Sequence, residues 1–477
     1  MLTNSTGKAE TLKETFSLCP VCLSKVPARV LEYDDSVYLS KKCHGSWETL
    51  IWRNISGYTY RELMKFSEVD NLSKPLNINS KNNQDCPFSC GLCEEHMQTT
   101  CLPVVEVTNR CNLKCRFCYA DSGNDSYEIP LSSIRKMFQT VFINTQYPHP
   151  VQISGGEPTY RKDLPLILKI ARNFGIRHVE LNTNGIALGK SQSLVRKLKE
   201  SGLDLVYLSL DSLNRKYIEN ICNRDVLTLK LNAIENCERL GIDVILVVRA
   251  IFGLNDHQLI DIIEFGMENN HVIKGVHILP VTFTGRIPGE PKNSDRITLP
   301  DIINKIESQT NKKIRINNFI PSVFSGGYEG GISVCPSVFC SAISLVHLGG
   351  NGKIKPLSYF NIKSGEVKIG KRTLELLGEC KGDDMNDNSK MLDDSLKKCC
   401  SSMNGGCGCG VGNSSDSAGD YTSKNTFRLS VMAFQDVWTL DLDRLKRCCI
   451  HVSMPNGTLI PFCAYNVVSI GGQKLYR

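Results

Sequence analysis

Val104-Val-Glu-Val-Thr108-Asn-Arg-Cys111-Asn-Leu-Lys-Cys115-Arg-Phe-Cys118 is the stretch on which the reading of this chain turns. Its first five residues are rich in β-branched side chains and predict a strand. A C-x3-C-x2-C loop follows at once, so three thiols stand where that strand ends. Three thiolates this close can hold three corners of one [4Fe–4S] cluster and leave the fourth iron without a protein ligand. An iron open in this way is what a cluster needs in order to bind and reduce a small molecule. A zinc knuckle completed by a distant fourth ligand is the competing reading. The position of the loop on a βα connection favours the cluster.

Outward from this loop the chain repeats one grain. Short β-branched runs recur at Val104–Thr108, Val151–Ser154, His178–Asn182, Leu205–Leu210, Val244–Val248 and Gly275–Leu279. Amphipathic segments lie between them, at Leu131–Phe142, Leu164–Phe174, Ser191–Ser201, Val226–Leu240 and Asp256–Glu268. Strands alternating with helices of this length predict parallel βα units. Six strands, with no sign of a seventh or eighth, predict an α/β fold of the partial (β/α)6 TIM-barrel type. Its functional residues are then expected at the carboxyl ends of the strands. In the tail, Leu429 to Ile450 reads as carrying a helix and Val452–Ile460 as a hairpin about Pro455-Asn-Gly457.

Of the 477 residues 41% are apolar and 22% charged, and 56 basic against 49 acidic side chains leave a net charge of +7. This excludes a disordered chain and gives no footprint for nucleic acid. The first twenty residues lack the apolar core of a secretory signal, and no stretch reaches the length of a membrane span. A cytoplasmic protein is expected, in a reducing compartment where clustered cysteines read as metal or redox groups.

The 22 cysteines are unevenly spread: residues 119–334 hold only Cys222 and Cys237, both read as packing residues of helices. Three regions are expected: a cysteine-rich, rubredoxin- or zinc-ribbon-like head (1–100), the barrel (101–300), and a tail with auxiliary iron–sulfur clusters (301–477). In the head, Cys19-Pro-Val-Cys22 is a metal knuckle, followed by Cys43-His44-Gly45 and by Cys86, Cys90, Cys93 and Cys101. One mononuclear Zn or Fe could be held by Cys19, Cys22, Cys90 and Cys93. Alternatively Cys19, Cys22 and Cys43 surround one metal, and Cys86, Cys90, Cys93 and Cys101 a second. His44 reads as a loop histidine beside a metal cysteine rather than a ligand. In the tail, Cys335, Cys340, Cys449 of the Cys448-Cys449 pair, and Cys463 could combine around an auxiliary [4Fe–4S] cluster. Cys399, of the Cys399-Cys400 pair, Cys407 and Cys409 could supply another.

The loop spacing, with Phe117 before the last cysteine, resembles the signature of the radical S-adenosylmethionine (SAM) superfamily. The resemblance extends to Gly155-Gly156-Glu157-Pro158 after the second strand, to Asn182-Thr-Asn184-Gly after the third and to Ser209-Leu-Asp211 after the fourth. It implies that Cys111, Cys115 and Cys118 hold a [4Fe–4S] cluster that binds SAM. The GGEP backbone would meet the SAM amino group, with glycines permitting close approach. Asn182, Asn184, Ser209 and Asp211 would serve the strand-end site, and Arg249 would pair with the SAM carboxylate. Reductive cleavage of SAM would yield a 5′-deoxyadenosyl radical that abstracts hydrogen from an unactivated C–H bond.

More narrowly, the chain resembles the archaeal tetraether lipid synthases and their relatives. The likeness rests on CPVC (19–22), KKCHG (41–45), CPFSCGLCEEHMQTTCLPVVEVTNRCNLKCRFCYA (86–120), ISGGEPT (153–159), HILPVTFTGR (277–286) and the block from Val431 to Asn466. It implies coupling of two lipid chains by a C–C bond, a low-potential electron donor and a transient contact with a membrane surface. Radical methylation of a pterin or another small molecule fits the same SAM site and is the alternative. A non-catalytic iron–sulfur or zinc protein for electron transfer or binding would explain the head and tail cysteines but leave GGEP without a purpose.

Overall fold

The computed structural model describes residues 9–67, 85–123, 128–145, 150–324, 337–349, 353–369, 372–375 and 425–477, with a few single positions between 74 and 80. Cys335, Cys380, Cys399, Cys400, Cys407 and Cys409 lie outside the described residues.

The head is an antiparallel meander of β1 (Glu10–Leu18), β2 (Lys25–Tyr33), β3 (Ser36–Lys42) and β4 (Ser46–Arg53). Alternate residues such as Val26, Ala28 and Val30 of β2 point into its core. The repeating grain forms β5 (Leu102–Thr108), β6 (Val151–Gly155), β7 (Val179–Thr183), β8 (Leu205–Ser209), β9 (Asp243–Ala250) and β10 (Ile273–Pro280). Each pairs in parallel with the next. The intervening helices, Leu131–Thr145, Leu164–Asn173, Gln192–Glu200, Leu227–Arg239 and Leu259–Glu268, each bury one apolar stripe.

Then come β11 (Ile320–Pro321), β12 (Ser341–Leu348), β13 (Ile354–Pro356), and a small antiparallel sheet of β14 (Ser358–Asn361), β15 (Glu366–Ile369) and β16 (Arg372–Glu375). The last strands are β17 (Thr426–Met432), β18 (Ile450–Ser453) and β19 (Leu459–Pro461).

Here the structure departs from the six-strand reading. β17 lies parallel to β10 and β18 lies parallel to β5, so eight parallel strands run side by side in one sheet. β12 continues it antiparallel beyond β17, and β19 does so beyond β18, as the predicted hairpin. The helix read within Leu429–Ile450 is confined to Leu442–Lys446. Asp436 accepts the backbone N–H groups of Trp438 and Thr439, a local turn that competes with helix. Residues from β18 at one side to β12 at the other, including Ile450, Asn182, His277 and Ile343, line one cavity. The sheet is therefore curled around that cavity.

Candidate functional site

The cysteine loop is pinned on every side by backbone. Cys111 N–H donates to the Gly123 carbonyl, and Cys118 exchanges two backbone hydrogen bonds with Arg286. The Arg286 guanidinium also donates to the carbonyls of Cys115 (3.1 Å) and Ser122 (2.6 Å). Gly285 has φ +64°, and a Cβ there would lie 2.4 Å from the Cys118 carbonyl oxygen. The end of the HILPVTFTGR segment is thus a clamp on the loop. Below it, Arg116 N–H donates to Ile221 O and Asn223 Nδ2 to Lys114 O.

The thiols differ in character. Burial pushes the Cys111 thiol up to about 12. Cys115 is drawn down by a hydrogen bond from Cys222 and by the charges of Arg249 and Lys230. Cys222, read from sequence as a packing residue, is buried against the cluster loop, and its contact with Cys115 raises its own pKa. No spacing rule connects residues 115 and 222, so only the fold reveals it. A half-buried loop with three unbridged thiols, one biased toward thiolate, fits an iron–sulfur cluster.

The GGEP turn sits against this loop. The Gly156 and Glu157 N–H groups donate to the carbonyls of Thr108 and Arg110, each at 2.8 Å. A Cβ on Gly155 (φ +131°) would lie 2.1 Å from Thr108 O, and one on Gly156 would lie 2.4 Å from Arg110 O. The close approach these glycines permit is therefore to the strand that delivers the cysteines. Glu157 is fully buried and its carboxylate accepts from Thr159 N–H, Thr159 Oγ1, Thr183 Oγ1 and Asn184 N–H. It braces the ends of β6 and β7 against each other.

Asn184 Nδ2 donates to Asn112 Oδ1 in the loop at 2.8 Å. The fully buried Lys230 donates to the carbonyls of Asn184 (3.0 Å) and Ser209 (2.5 Å), joining the ends of β7 and β8. Asp211 is fully buried and turned to Arg249, whose guanidinium also donates to the Phe117 carbonyl. These two residues, expected to meet SAM separately, meet each other. Phe117, Cys118, Asn182 and Arg249 line the central cavity, and Cys463, Phe434 and Phe462 line it from the tail.

In the head, Cys19, Cys22, Cys43 and His44 offer ligand atoms that all lie within 4.8 Å of one another. Four ligands about 2.3 Å from a tetrahedral ion stand roughly 3.8 Å apart. The Cys22–Cys43 sulfurs are 3.9 Å apart, and Cys19 Sγ is 3.7 Å from His44 Nδ1. His44 has φ +50°, a left-handed turn that swings its ring to the sulfurs. The structure thus groups Cys19 and Cys22 with Cys43 and His44 rather than with Cys90 and Cys93, and it brings in the histidine read as a bystander.

Cys86 and Cys90 contact each other, with Cys93 nearby. Cys101 N–H donates to the Cys449 carbonyl. Cys340 Sγ accepts from Arg444 Nε at 2.9 Å, and Cys463 Sγ accepts from Gln435 N–H at 3.3 Å. Arg444 reaches the Ala433 carbonyl, so Cys340 and Cys463 flank one short segment.

The model of the radical SAM superfamily matches residues 105–266, and that of the HMPTM N-terminal zinc ribbon domain matches residues 11–53. A 7,8-dihydro-6-hydroxymethylpterin dimethyltransferase of Methanocaldococcus jannaschii is 34% identical over 483 residues, covering 96% of this chain and 94% of its own. A GTP 3',8-cyclase of Helicobacter pylori is 27% identical over 278 residues, 56% of this chain and 84% of its own. Among solved structures, Streptococcus suis SuiB bound to S-adenosylmethionine shares 20% identity at a TM-score of 0.38, over 45% of this chain and 47% of that one. A relative matched over 94% of its own length is thus a pterin dimethyltransferase and not a lipid synthase. The first match brings a [4Fe–4S] cluster and SAM, and the second fits a further metal at Cys19, Cys22, Cys43 and His44. With head, sheet and tail all contained in the archaeal match, the chain belongs to the radical SAM superfamily, in the family of that dimethyltransferase.

Proposed function

We propose that the chain is a radical SAM methyltransferase acting on a pterin or a similar small heterocycle. The observation that carries this reading is the match to the archaeal dimethyltransferase, which spans 96% of the chain and leaves out neither the cysteine-rich head nor the tail. When bound, the cluster and SAM supply a radical able to take hydrogen from an unactivated C–H bond. In this reading Cys111, Cys115 and Cys118 hold the cluster, Asn182 faces SAM from the end of β7, and Arg249 joins the residues that position the loop. Glu157, Lys230 and Asp211 position the loops around them. Cys463, on the cavity wall, would hold an auxiliary cluster that faces the substrate. A low-potential electron donor completes the system.

Lipid-chain coupling is the second reading, favoured by the apolar cavity wall of Leu102, Val104, Val247, Leu279, Ile343 and Phe434. It would bring with it a peripheral contact with a membrane surface. Among the described residues no helix is long and apolar enough to cross a membrane.

The deciding experiment is anaerobic reconstitution with iron, sulfide, SAM and dithionite, with 7,8-dihydro-6-hydroxymethylpterin or an ether lipid as substrate. Release of 5′-deoxyadenosine with a pterin heavier by one or two methyl groups supports the first reading. Coupled lipid chains with unchanged pterin would replace it by the second.

A further inference from the structure

The walls of the cavity are largely apolar but also carry polar side chains. Gln152, Tyr207, His277, Arg428 and Ser430 all line it, on strands remote from the cysteine loop in sequence. Register shows how they are spaced: Gln152 stands at the level of Glu180 and Leu205, Tyr207 and Arg428 share a level two residues further on, and His277 with Ser430 lies two residues beyond that. Tyr207 stands opposite Ile245, Ile245 opposite Gly275, and Gly275 opposite Arg428. Asp211, just past the end of β8, and Arg249, on β9, lie four residues further along the chain than Tyr207 and Ile245. At roughly 3.3 Å per residue the level of Tyr207 and Arg428 is about 13 Å from the cluster end. That distance is comparable with one fused bicycle plus the reach of a 5′ carbon.

A hydrocarbon substrate gives no reason to bury these groups, since each buried polar group without a partner costs free energy. Their arrangement is specific. Gln152 Nε2 donates to Glu180 Oε2 at 3.3 Å. This bond uses one amide N–H of Gln152 and leaves its carbonyl and its second N–H for another partner. The other Glu180 oxygen is buried without a hydrogen-bond partner. Arg428 contacts the Tyr207 hydroxyl. His277 Nδ1 lies 2.7 Å from Ser430 Oγ, which leaves Nε2 for a ligand. Burial holds this imidazole down at about 4, so it is neutral at physiological pH and can pair with either a donor or an acceptor.

We infer that Tyr207 and Arg428, with Gln152 two residues below them and His277 two residues above, form a recognition floor and wall that read the lactam edge of a fused heterocycle, with the reacting carbon turned toward the cluster end. An amide matches an adjacent N–H and C=O in a ring, and a neighbouring guanidinium favours the ring oxygen. This assignment rests on the methyltransferase reading and adds to it the part of the substrate that is recognised.

The test uses the reconstituted holoenzyme under anaerobic conditions, with 7,8-dihydro-6-hydroxymethylpterin as the probe and dissociation constants read by equilibrium dialysis. Gln152→Leu, which nearly keeps the side-chain volume, and Arg428→Met should each raise the pterin Kd at least tenfold. SAM affinity in the same proteins reports whether the cluster end is intact. Quinoxaline, a bicycle without the lactam, should bind wild type and Gln152→Leu within twofold of each other. If wild type binds the pterin and both variants bind it equally well, the floor is overturned while the methyltransferase reading stands. If wild type itself does not bind the pterin, the methyltransferase reading falls, and the floor falls with it.

Discussion

Asp211 accepts three hydrogen bonds from Arg249, one from its backbone N–H at 2.8 Å and two from its guanidinium at 3.1 and 2.5 Å. The carboxylate is fully buried and the guanidinium continues to the Phe117 carbonyl. The adjacent guanidinium outweighs burial and holds the Asp211 carboxyl below the usual carboxylate range. The pair therefore ties the ends of β8 and β9 to the cysteine loop.

Breaking a buried pair strands a charge, which costs about 3–5 kcal/mol. Asp211→Asn and Arg249→Met should each lower the melting temperature and reduce iron retained after reconstitution. The double variant should recover part of the stability lost by either single one. Equal melting of wild type and both single variants would show that the pair braces nothing.

Gly156→Ala is expected to fail more severely than its size suggests. The added methyl would meet the Arg110 carbonyl 2.4 Å away, just before the first cluster cysteine. Glu157→Gln removes the charge from four hydrogen bonds and should cost about 2–3 kcal/mol. Iron per chain and thermal melting check both, with Gly156→Ala losing most of its iron.

In the head, His44→Ala should weaken zinc binding while Cys19→Ser abolishes it. The measurement is zinc per chain after dialysis against graded chelator. Retention of zinc by the His44 variant at every chelator concentration would assign the fourth ligand elsewhere.

Burial raises Glu180 from its ordinary value of 4.5 to about 7. Between these values the folded protein binds this proton more tightly than the unfolded chain. The contribution of Glu180 to stability is thus intact below about pH 4.5 and is lost as pH rises to 7, by about 3 kcal/mol. Glu180→Gln has no proton to lose. Its melting temperature relative to wild type should therefore climb from pH 5 to pH 8.

What the sequence discloses depends on how local each feature is. The cysteine loop and GGEP are legible because each motif is confined to a few consecutive residues. The six strands β5 to β10 are legible because each alternates with a helix of standard length. β17 and β18 are not, since the ladders that make them members of the sheet join them to strands roughly 150 and 350 residues away. The Asp211–Arg249 pair was hidden for a different reason. Each residue is a plausible cofactor contact alone, and only the register of β8 on β9 turns them to each other. His44 was hidden by its backbone, because a left-handed turn at a histidine leaves little trace in composition.

The pairing of β5 with β18 bears on how the chain is made. As the polypeptide leaves the ribosome, the strand that carries the cysteine loop has one bare edge until the segment Ile450–Ser453 emerges. An uncovered edge invites pairing with another chain. The nascent protein is accordingly most exposed to aggregation during the long interval before residues 450–453 appear, and a chaperone that shields this edge should raise the yield of folded enzyme.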